Sequence, residues 1–422
     1  MSATTNYDTI IIGAGPAGST AAALLAERGR RVLVLEKEKF PRYHIGESLM
    51  PFCWFTLERL GVLEEMERIA YVKKYSVQFV TQDGRQSQPF YFFQHYDHPS
   101  ATTWQVERAE FDLMLLENAR RKGAEVRELT PVLRTLKDND GRTIGVVAKG
   151  ADGRAFEAFA PITIDCSGRE QVAVAREGWR VKDPQLNKLA IWTYYRGAKR
   201  DPGIDEGNTT VAYVPERGWF WYIPLKGDVV SVGIVAEKDY LFSESKDPAT
   251  IIAREIERNA WIKDHLSAGK QFGEYHVTSE FTYRSRYCAA DGLLLAGDAF
   301  AFLDPVFSSG VFLALKSGEM AADAVEGALT AGDTSAARFA DYGETLIRGL
   351  ETMRKLVYAF YDTGFSFGRL TRRYPNLRGR LTDCLIGDLF DKEYGELFGA
   401  IGEFASLPEP LAHGRAQISM AA

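Results

Sequence analysis

Four stretches of this 422-residue chain carry residues whose types and spacing could do chemistry. Gly13-Ala14-Gly15-Pro16-Ala17-Gly18 stands between a β-branched apolar run and a helical one, and Glu36 follows at roughly the twenty-residue spacing of a ribose-binding acid. In that setting Gly13 permits a tight turn, Gly15 lets a pyrophosphate approach the backbone, and Gly18 lets helix and strand pack closely. Lys73-Lys74 precedes an alternating stretch, where a lysine pair is most often a solvated strand edge that discourages pairing. Gly218-Trp219-Phe220-Trp221-Tyr222-Ile223-Pro224 concentrates two indoles and a proline, and indoles mostly fill core. Gly297-Asp298 and then Asp304-Pro305-Val306-Phe307-Ser308-Ser309-Gly310-Val311 complete the set.

Each stretch needs an element to hold it. Asp8 to Ile12 predicts a buried parallel strand, the next helix runs to about Arg28 with Gly29 as its cap, and Arg31 to Leu35 returns as a second parallel strand. That helix offers free N–H groups and the positive end of its dipole to phosphates, so the unit reads as dinucleotide-binding. Lys37 to Ser48 is a loop containing Arg42, Ile45, Gly46 and Glu47. Glu47 and Ser48 suit either the cap of a helix over Met50 to Leu60, closed by Gly61, or contact with the cofactor. Tyr75 to Pro89 predicts a hairpin turning at Asp83-Gly84.

Arg108 leads into an amphipathic helix, Phe111 to Lys122, ended by Gly123. Ala124 to Val147 predicts a strand, a turn at Asn139-Asp140-Gly141 and another strand. Phe156 to Ile164 predicts one more, ending in Asp165-Cys166-Ser167-Gly168. A strand-rich block follows, with strands Leu189–Arg196, Asn208–Pro215, Trp219–Leu225 and Val229–Glu237, a helix Thr250–Arg258 and a return strand Glu280–Tyr287. Gly292 to Ala296 reads as a buried strand that delivers Asp298 at its C-terminal end, where α/β sheets bind ligands. The helix from Val311 to about Leu329 points its N-terminus back at that ligand. Ser335 to Leu407 reads as helical, with Phe360, Tyr361, Phe365 and Phe367 as core.

Composition narrows the class. Hydrophobic residues make up 45% and charged residues 26%, as in a soluble globular protein, and the net charge of −6 argues against nucleic-acid binding. Cys53, Cys166, Cys288 and Cys384 show neither CxxC nor zinc-ligand spacing, so a reducing cytoplasm is the expected home. No apolar run approaches the roughly 20 residues of a membrane span, and the first strand begins too early to leave room for a signal peptide.

GAGPAG, Asp165-Cys-Ser-Gly168 and Gly297-Asp298-Ala, in this order, resemble the FAD-dependent monooxygenase superfamily with the p-hydroxybenzoate hydroxylase fold. The resemblance implies an α/β protein: a FAD-binding βαβ domain of the glutathione-reductase type, discontinuous over 1–74, 100–170 and 288–335. It implies an inserted antiparallel substrate sheet over 75–99 and 171–287, and a helical C-terminal region over 336–422. By it, the turn Gly13, Gly15, Pro16, Ala17 and Gly18 with Glu36 holds the ADP half of a non-covalent FAD. The loop residues Lys37, Arg42, Ile45, Gly46, Glu47 and Ser48 would reach the cofactor, with Arg108 near the flavin or its phosphates and Gly297-Asp298 at the ribitol. No second GxGxxG is present, so a separate NAD(P)H-dependent flavin reductase is the expected partner.

Within that superfamily, FPRYHIGES (40–48), GWFWYIP (218–224) and DPVFSSGV (304–311) look like flavin-dependent halogenases. Their W-x-W-x-I-P mark is matched by Trp219, Trp221, Ile223 and Pro224. Lys73-Lys74-Tyr75-Ser76 resembles the pyrrole-type stretch whose essential lysine aligns with Lys74, with a slip of one residue to Lys73 left open. The resemblance implies an oxidoreductase in which reduced FAD, O₂ and chloride or bromide give hypohalous acid. The indoles and proline would keep the organic substrate from the flavin, and N–H groups at Ser309-Gly310, between Pro305 and Val311, would hold the halide. The lysine would orient hypohalous acid or form a haloamine beside an electron-rich phenol or pyrrole, free or on an acyl or peptidyl carrier protein.

Phe307 stands where tryptophan-type members carry a glutamate, so deprotonation of the ring must fall to other groups or to a ring that needs little help. The rival is a geranylgeranyl-reductase-like flavoprotein with a similar Y-x-W-x-F-P motif, although it usually carries Cys-Gly-Gly where this chain has Gly46-Glu47-Ser48. An aromatic monooxygenase and a non-catalytic flavin-binding protein are the remaining alternatives.

Overall fold

The computed structural model describes residues 7–214, 218–279 and 282–418. The expected strand ends at Pro215 and Glu280 therefore lie outside the described residues.

The strand Thr9–Ile12 runs parallel between Val32–Leu35 and Ile162–Asp165, and Leu293–Leu295 continues the parallel set. These strands are apolar without alternation and buried throughout, as strands covered on both faces must be. Glu125–Arg127 closes one edge of this seven-stranded sheet; Tyr287–Ala290 and then Arg415–Ala416 close the other. The helix Pro16–Glu27 packs on the long helix Ser309–Ala331 with backbones nearly touching, since a methyl group at Gly318 would fall 2.4 Å from Ala17 O.

A second seven-stranded sheet runs in the order Lys270–Ser279, Lys188–Arg196, Val229–Glu237, Gly218–Leu225, Thr209–Val214, Ser76–Val80, Phe90–Tyr91. It is antiparallel except where Thr209–Val214 meets Ser76–Val80. Period-two alternation along Gly218–Leu225 decides what each face does. Phe220 and Tyr222 join Ile191, Val232 and Ile234 under the helices Pro248–Ile256 and Ala260–Leu266. Trp219, Trp221 and Ile223 face the other way, toward the first sheet. Helices Ala340–Tyr361, Phe367–Arg373, Arg378–Ile386 and Gly395–Ile401 follow, with Phe360, Tyr361, Phe365 and Phe367 buried as expected of a core stripe.

Several elements differ from expectation. Lys270–Ser279 is a ten-residue strand on the sheet edge whose polar, half-exposed residues show no apolar alternation. The span Ala124 to Val147 holds two strands before the turn, Glu125–Arg127 and Val132–Lys137, and Thr143–Lys149 after it. Pro161 splits Phe156 to Ile164 into Ala155–Phe159 and Ile162–Asp165, because proline cannot donate to the ladder. The Asp83-Gly84 turn forms, with Gly84 N–H donating to Thr81 O at 2.9 Å, but its return is only a Val80–Gln86 bridge before Phe90–Tyr91. The region after residue 336 is not wholly helical, since Arg415–Ala416 pairs with Tyr287–Ala290 in the nucleotide sheet. Among the described residues no helix is long and apolar enough to cross a membrane.

Candidate active site

A cavity of about 640 Å³ runs between the two sheets, past the C-terminal ends of Thr9–Ile12, Val32–Leu35 and Leu293–Leu295. The three glycines of the first turn do different work there. Gly13 has φ +93°, and a methyl group on it would lie 2.6 Å from Cys166 O. One on Gly18 would lie 2.0 Å from Gly13 O, so Gly18 lets the helix close on the strand and is itself off the cavity wall. Gly15 meets only Arg42 Nη2, at 3.6 Å, and leaves the backbone open to a ligand at the helix start, with Pro16 and Ala17 beside it. Glu36 ties this turn to the second strand: its Oε2 accepts from Ala14 N–H and its Oε1 from Glu38 N–H, both at 2.8 Å.

Two arginines line the same cavity. Arg108 forks onto Asp112 with bonds of 2.8 and 2.9 Å and donates to Ile45 O at 2.6 Å, fixing the loop that carries Gly46. Arg42 Nη1 forms an ion pair with Asp112 Oδ2 at 3.2 Å, and Arg42 lines the cavity. Lys37 pairs with Glu170, and both line the cavity. Burial pushes the Asp298 carboxyl up to about 6 against the pull of Arg108 and Arg169. An open glycine at a helix N-terminus, an acid on the second strand and two arginines on the cavity wall fit a dinucleotide such as FAD.

Glu47 and Ser48 cap no helix, because the next one, Cys53–Leu60, starts beyond Phe52. Both line the cavity. Glu47 accepts from Tyr194 OH at 2.8 Å, and burial pushes it up to about 7 against the pull of the Ser231 and Tyr194 hydroxyls. Ser48 Oγ bonds Thr209 Oγ1 at 2.7 Å and accepts from Lys74 Nζ at 2.9 Å.

The strand Val72–Lys74, antiparallel to Thr103–Gln105, separates the two lysines by the pleat. Lys73 is solvent-exposed and paired with Glu67 at 2.8 Å. Lys74 is 4% exposed; besides Ser48 it donates to Leu49 O at 3.2 Å, and its Nζ stands 5.7 Å from the Phe92 ring centre. Burial pulls its ammonium down to about 7. It sits behind the cavity wall and reaches it through Ser48.

Trp219 and Trp221 line the cavity, but Pro224 does not; it falls in the opposite register of the same strand, paired with Val230. Trp219 Nε1 donates to Tyr361 OH at 2.8 Å, and Tyr361 OH donates to Asp304 Oδ2 at 2.8 Å. Burial pushes the Asp304 carboxyl up to about 6, and Lys188 Nζ lies 4.4 Å from the Tyr361 ring centre. Sequence reasoning placed Tyr361 in the core and gave Asp304 no role. The signal was the hydroxyl, since a buried tyrosine needs a partner. Lys188 lies in no motif.

Pro305, Gly310 and Val311 line the cavity, and so does Ser308, with φ +57°. Ser309 is buried and off the wall. No side chain caps the helix that starts here, so the first-turn N–H groups of Ser309 and Gly310 lack intrahelical partners. Phe307 packs edge-on against Phe360 and Phe367, with ring centres at 5.8 and 6.2 Å.

Comparison with known proteins decides among the flavoprotein readings. The chain matches the tryptophan halogenase family over residues 8–102 and 94–365. The chain belongs to this family of flavin-dependent halogenases. It is 32% identical to the 1H-pyrrole-2-carbonyl-[peptidyl-carrier protein] brominase of Pseudoalteromonas luteoviolacea, over 93% of this chain and 95% of that protein. It is 28% identical to the corresponding chlorinase of Pseudomonas fluorescens, over 97% and 96%. The solved flavin-dependent brominase Bmp2 superposes with a TM-score of 0.86 at 31% identity, covering 94% of this chain and 98% of that one. The halogenase is thus an FAD-dependent oxidoreductase that uses reduced FAD, halide and O₂, and the reductase alternative falls away.

Proposed function

We propose that this halogenase passes electrophilic halogen through Lys74 to an electron-rich pyrrole or phenol, and specifically to a pyrrole-2-carbonyl group held on a peptidyl carrier protein. The observation that carries the reading is Lys74: a buried amine, brought down to about 7, with no carboxylate in ion-pair reach among the described residues. Near neutral pH such an amine divides between an ammonium that donates hydrogen bonds and a free base that is a nucleophile.

Bound FAD, once reduced, supplies hypohalous acid from O₂ and halide. As a free base, Lys74 Nζ bonds the halogen and the hydroxyl leaves with an amine proton as water; as an ammonium, it holds hypohalous acid by a hydrogen bond to oxygen. Ser48 and Leu49 O fix Nζ in either state. Trp219 and Trp221 wall the organic substrate off from the cofactor side. Their positions are set by bonds to Tyr361 at 2.8 Å and to Ser231 at 3.1 Å. The uncapped N–H groups of Ser309 and Gly310 hold the halide. Phe307 offers no base, so the ring's own heteroatom must carry the charge. Both relatives named above act on a pyrrole-2-carbonyl carrier, which supports that choice. A separate NAD(P)H-dependent flavin reductase would supply reduced FAD, in a reducing cytoplasm that keeps the four buried cysteines as thiols.

The test is turnover of a pyrrole-2-carbonyl carrier, a phenol panel and free tryptophan under one flavin-recycling system, read by mass spectrometry. The carrier-bound pyrrole should gain halogen fastest. Tryptophan as the best substrate would overturn the reading.

A further inference from the structure

Arg369, Arg372, Arg373, Arg378 and Arg380 fall in one short segment, with no acid between Asp362 and Asp383. All five are exposed. Arg380 stands 3.6 Å from Asp383, but the other four have no carboxylate within ion-pair distance among the described residues. Arg369 lies over the Phe404 ring and Arg378 over Phe90, each at 5.4 Å, while Glu396 and Glu403 bond Asn376 and Tyr374 instead of an arginine. A run of charge is usually just a solvated face. Here it is a local excess of positive charge on a chain of net charge −6, and its place in the fold is specific.

The segment reaches the halide loop through one aromatic layer. Phe367, at the start of the arginine helix, packs 4.6 Å from Phe79 and 6.2 Å from Phe307 of the halide loop, ring centre to ring centre. His95 abuts Gly379, where a methyl group would lie 2.9 Å from the imidazole. The short turn before His95 has one aromatic on each side: Phe92 lies buried beneath Lys74, and Phe93 is 45% exposed at the surface. An exposed apolar ring in the turn that leads to His95, with exposed arginines on the segment His95 abuts, has the makeup of an anchor with a charged rim.

We propose that this arginine face, with Phe93, is the docking surface for the acidic carrier protein that presents the substrate. It rests on the carrier-bound reading of the function. Charge complementarity selects the occupant: a phosphopantetheine arm is rooted through a phosphodiester, and guanidinium forks match phosphate oxygens. Acidic residues flanking that root meet the remaining arginines, and beneath them Phe367 packs on Phe90 and on Phe307 of the halide loop.

The experiment uses the FAD-loaded full chain with two probes, pyrrole-2-carbonyl on a phosphopantetheinylated acidic carrier and pyrrole-2-carbonyl pantetheine. In Arg372→Glu/Arg373→Glu the KM for the carrier substrate should rise about tenfold or more with kcat retained, and its salt dependence should weaken. Kinetics with the pantetheine thioester should not change, and Arg372→Lys/Arg373→Lys should keep the wild-type KM. An unchanged KM in the charge-reversed enzyme, where the wild type prefers the carrier, overturns the docking surface and leaves the function standing. A wild type indifferent to the carrier overturns both. Should the reversed enzyme fold poorly, carrier amide shifts mapped against wild-type enzyme with and without added salt decide: salt-sensitive shifts around the modified serine support the surface, and their absence overturns it. Retention on anionic vesicles without carrier binding also counts against it.

Discussion

Lys74 Nζ and Ser48 Oγ lie 2.9 Å apart, and through this bond a lysine behind the wall reaches a cavity it does not line. Ser48 in turn bonds Thr209, whose hydroxyl also accepts from Gln105 Nε2 at 2.9 Å, so the amine is positioned by a chain of short polar side chains. Removing the Ser48 hydroxyl should loosen Nζ without touching the cofactor turn. Ser48→Ala is expected to keep FAD affinity and O₂ consumption while ring halogenation falls about ten- to a hundredfold, by analogy with the loss of one positioned group in acid–base chemistry. Parallel assays of O₂ uptake and halogenated product check it.

Burial of Lys74 also has a pH signature. Unfolded, its amine keeps the proton up to about pH 10; folded, it releases it near 7. The unfolded chain therefore binds more protons between those values, and stability rises with pH across that window. The cost of burying the ammonium is full below about pH 7 and fades toward pH 10, on the order of a few kcal/mol in all. Lys74→Met should raise the melting temperature most near pH 6, with the gap closing near pH 10. An equal gap at both ends would show that Lys74 is not held in a dry site.

The glycines of the first turn separate folding from binding. Gly15→Val meets only an arginine tip at 3.6 Å and should fold, but lose FAD because the pyrophosphate can no longer approach. Gly18→Val places a carbon 2.0 Å from a backbone carbonyl and should fail to fold. Flavin absorbance per folded chain distinguishes the two.

Much of this was legible in order along the chain. Ile10, Ile11, Leu33 and Val34 are apolar without alternation, and the Gly-rich turn and Glu36 stood where a nucleotide unit needs them, so the parallel core could be read directly. The resemblance aligned the essential lysine with Lys74 but left a slip to Lys73 open: a one-residue shift on a pleated strand inverts exposure, and only the pairing of Val72–Lys74 with Thr103–Gln105 sets which one faces inward. Lys270–Ser279 escaped because an edge strand with both faces half wet needs no apolar pattern. The Trp219–Tyr361–Asp304 bridge joins residues far apart in sequence, which no local spacing encodes.

That bridge predicts its own mutant. Tyr361→Phe leaves Trp219 Nε1 and Asp304 Oδ2 buried without partners, at about 1–3 kcal/mol for each orphaned group. A lower urea midpoint with unchanged far-UV circular dichroism is the expected result. Unchanged stability would mean the three groups find other partners.

The central claim is that Lys74 acts after hypohalous acid has formed. The most direct measurement is a pair of yields from Lys74→Ala with bromide, reduced FAD and O₂: free hypobromous acid, trapped by monochlorodimedone, and brominated ring. Lys74→Ala should keep FAD binding and O₂ consumption, release trappable oxidant and lose ring bromination, while Lys73→Ala behaves as wild type. Full ring bromination by Lys74→Ala, or its loss in Lys73→Ala instead, would contradict the account.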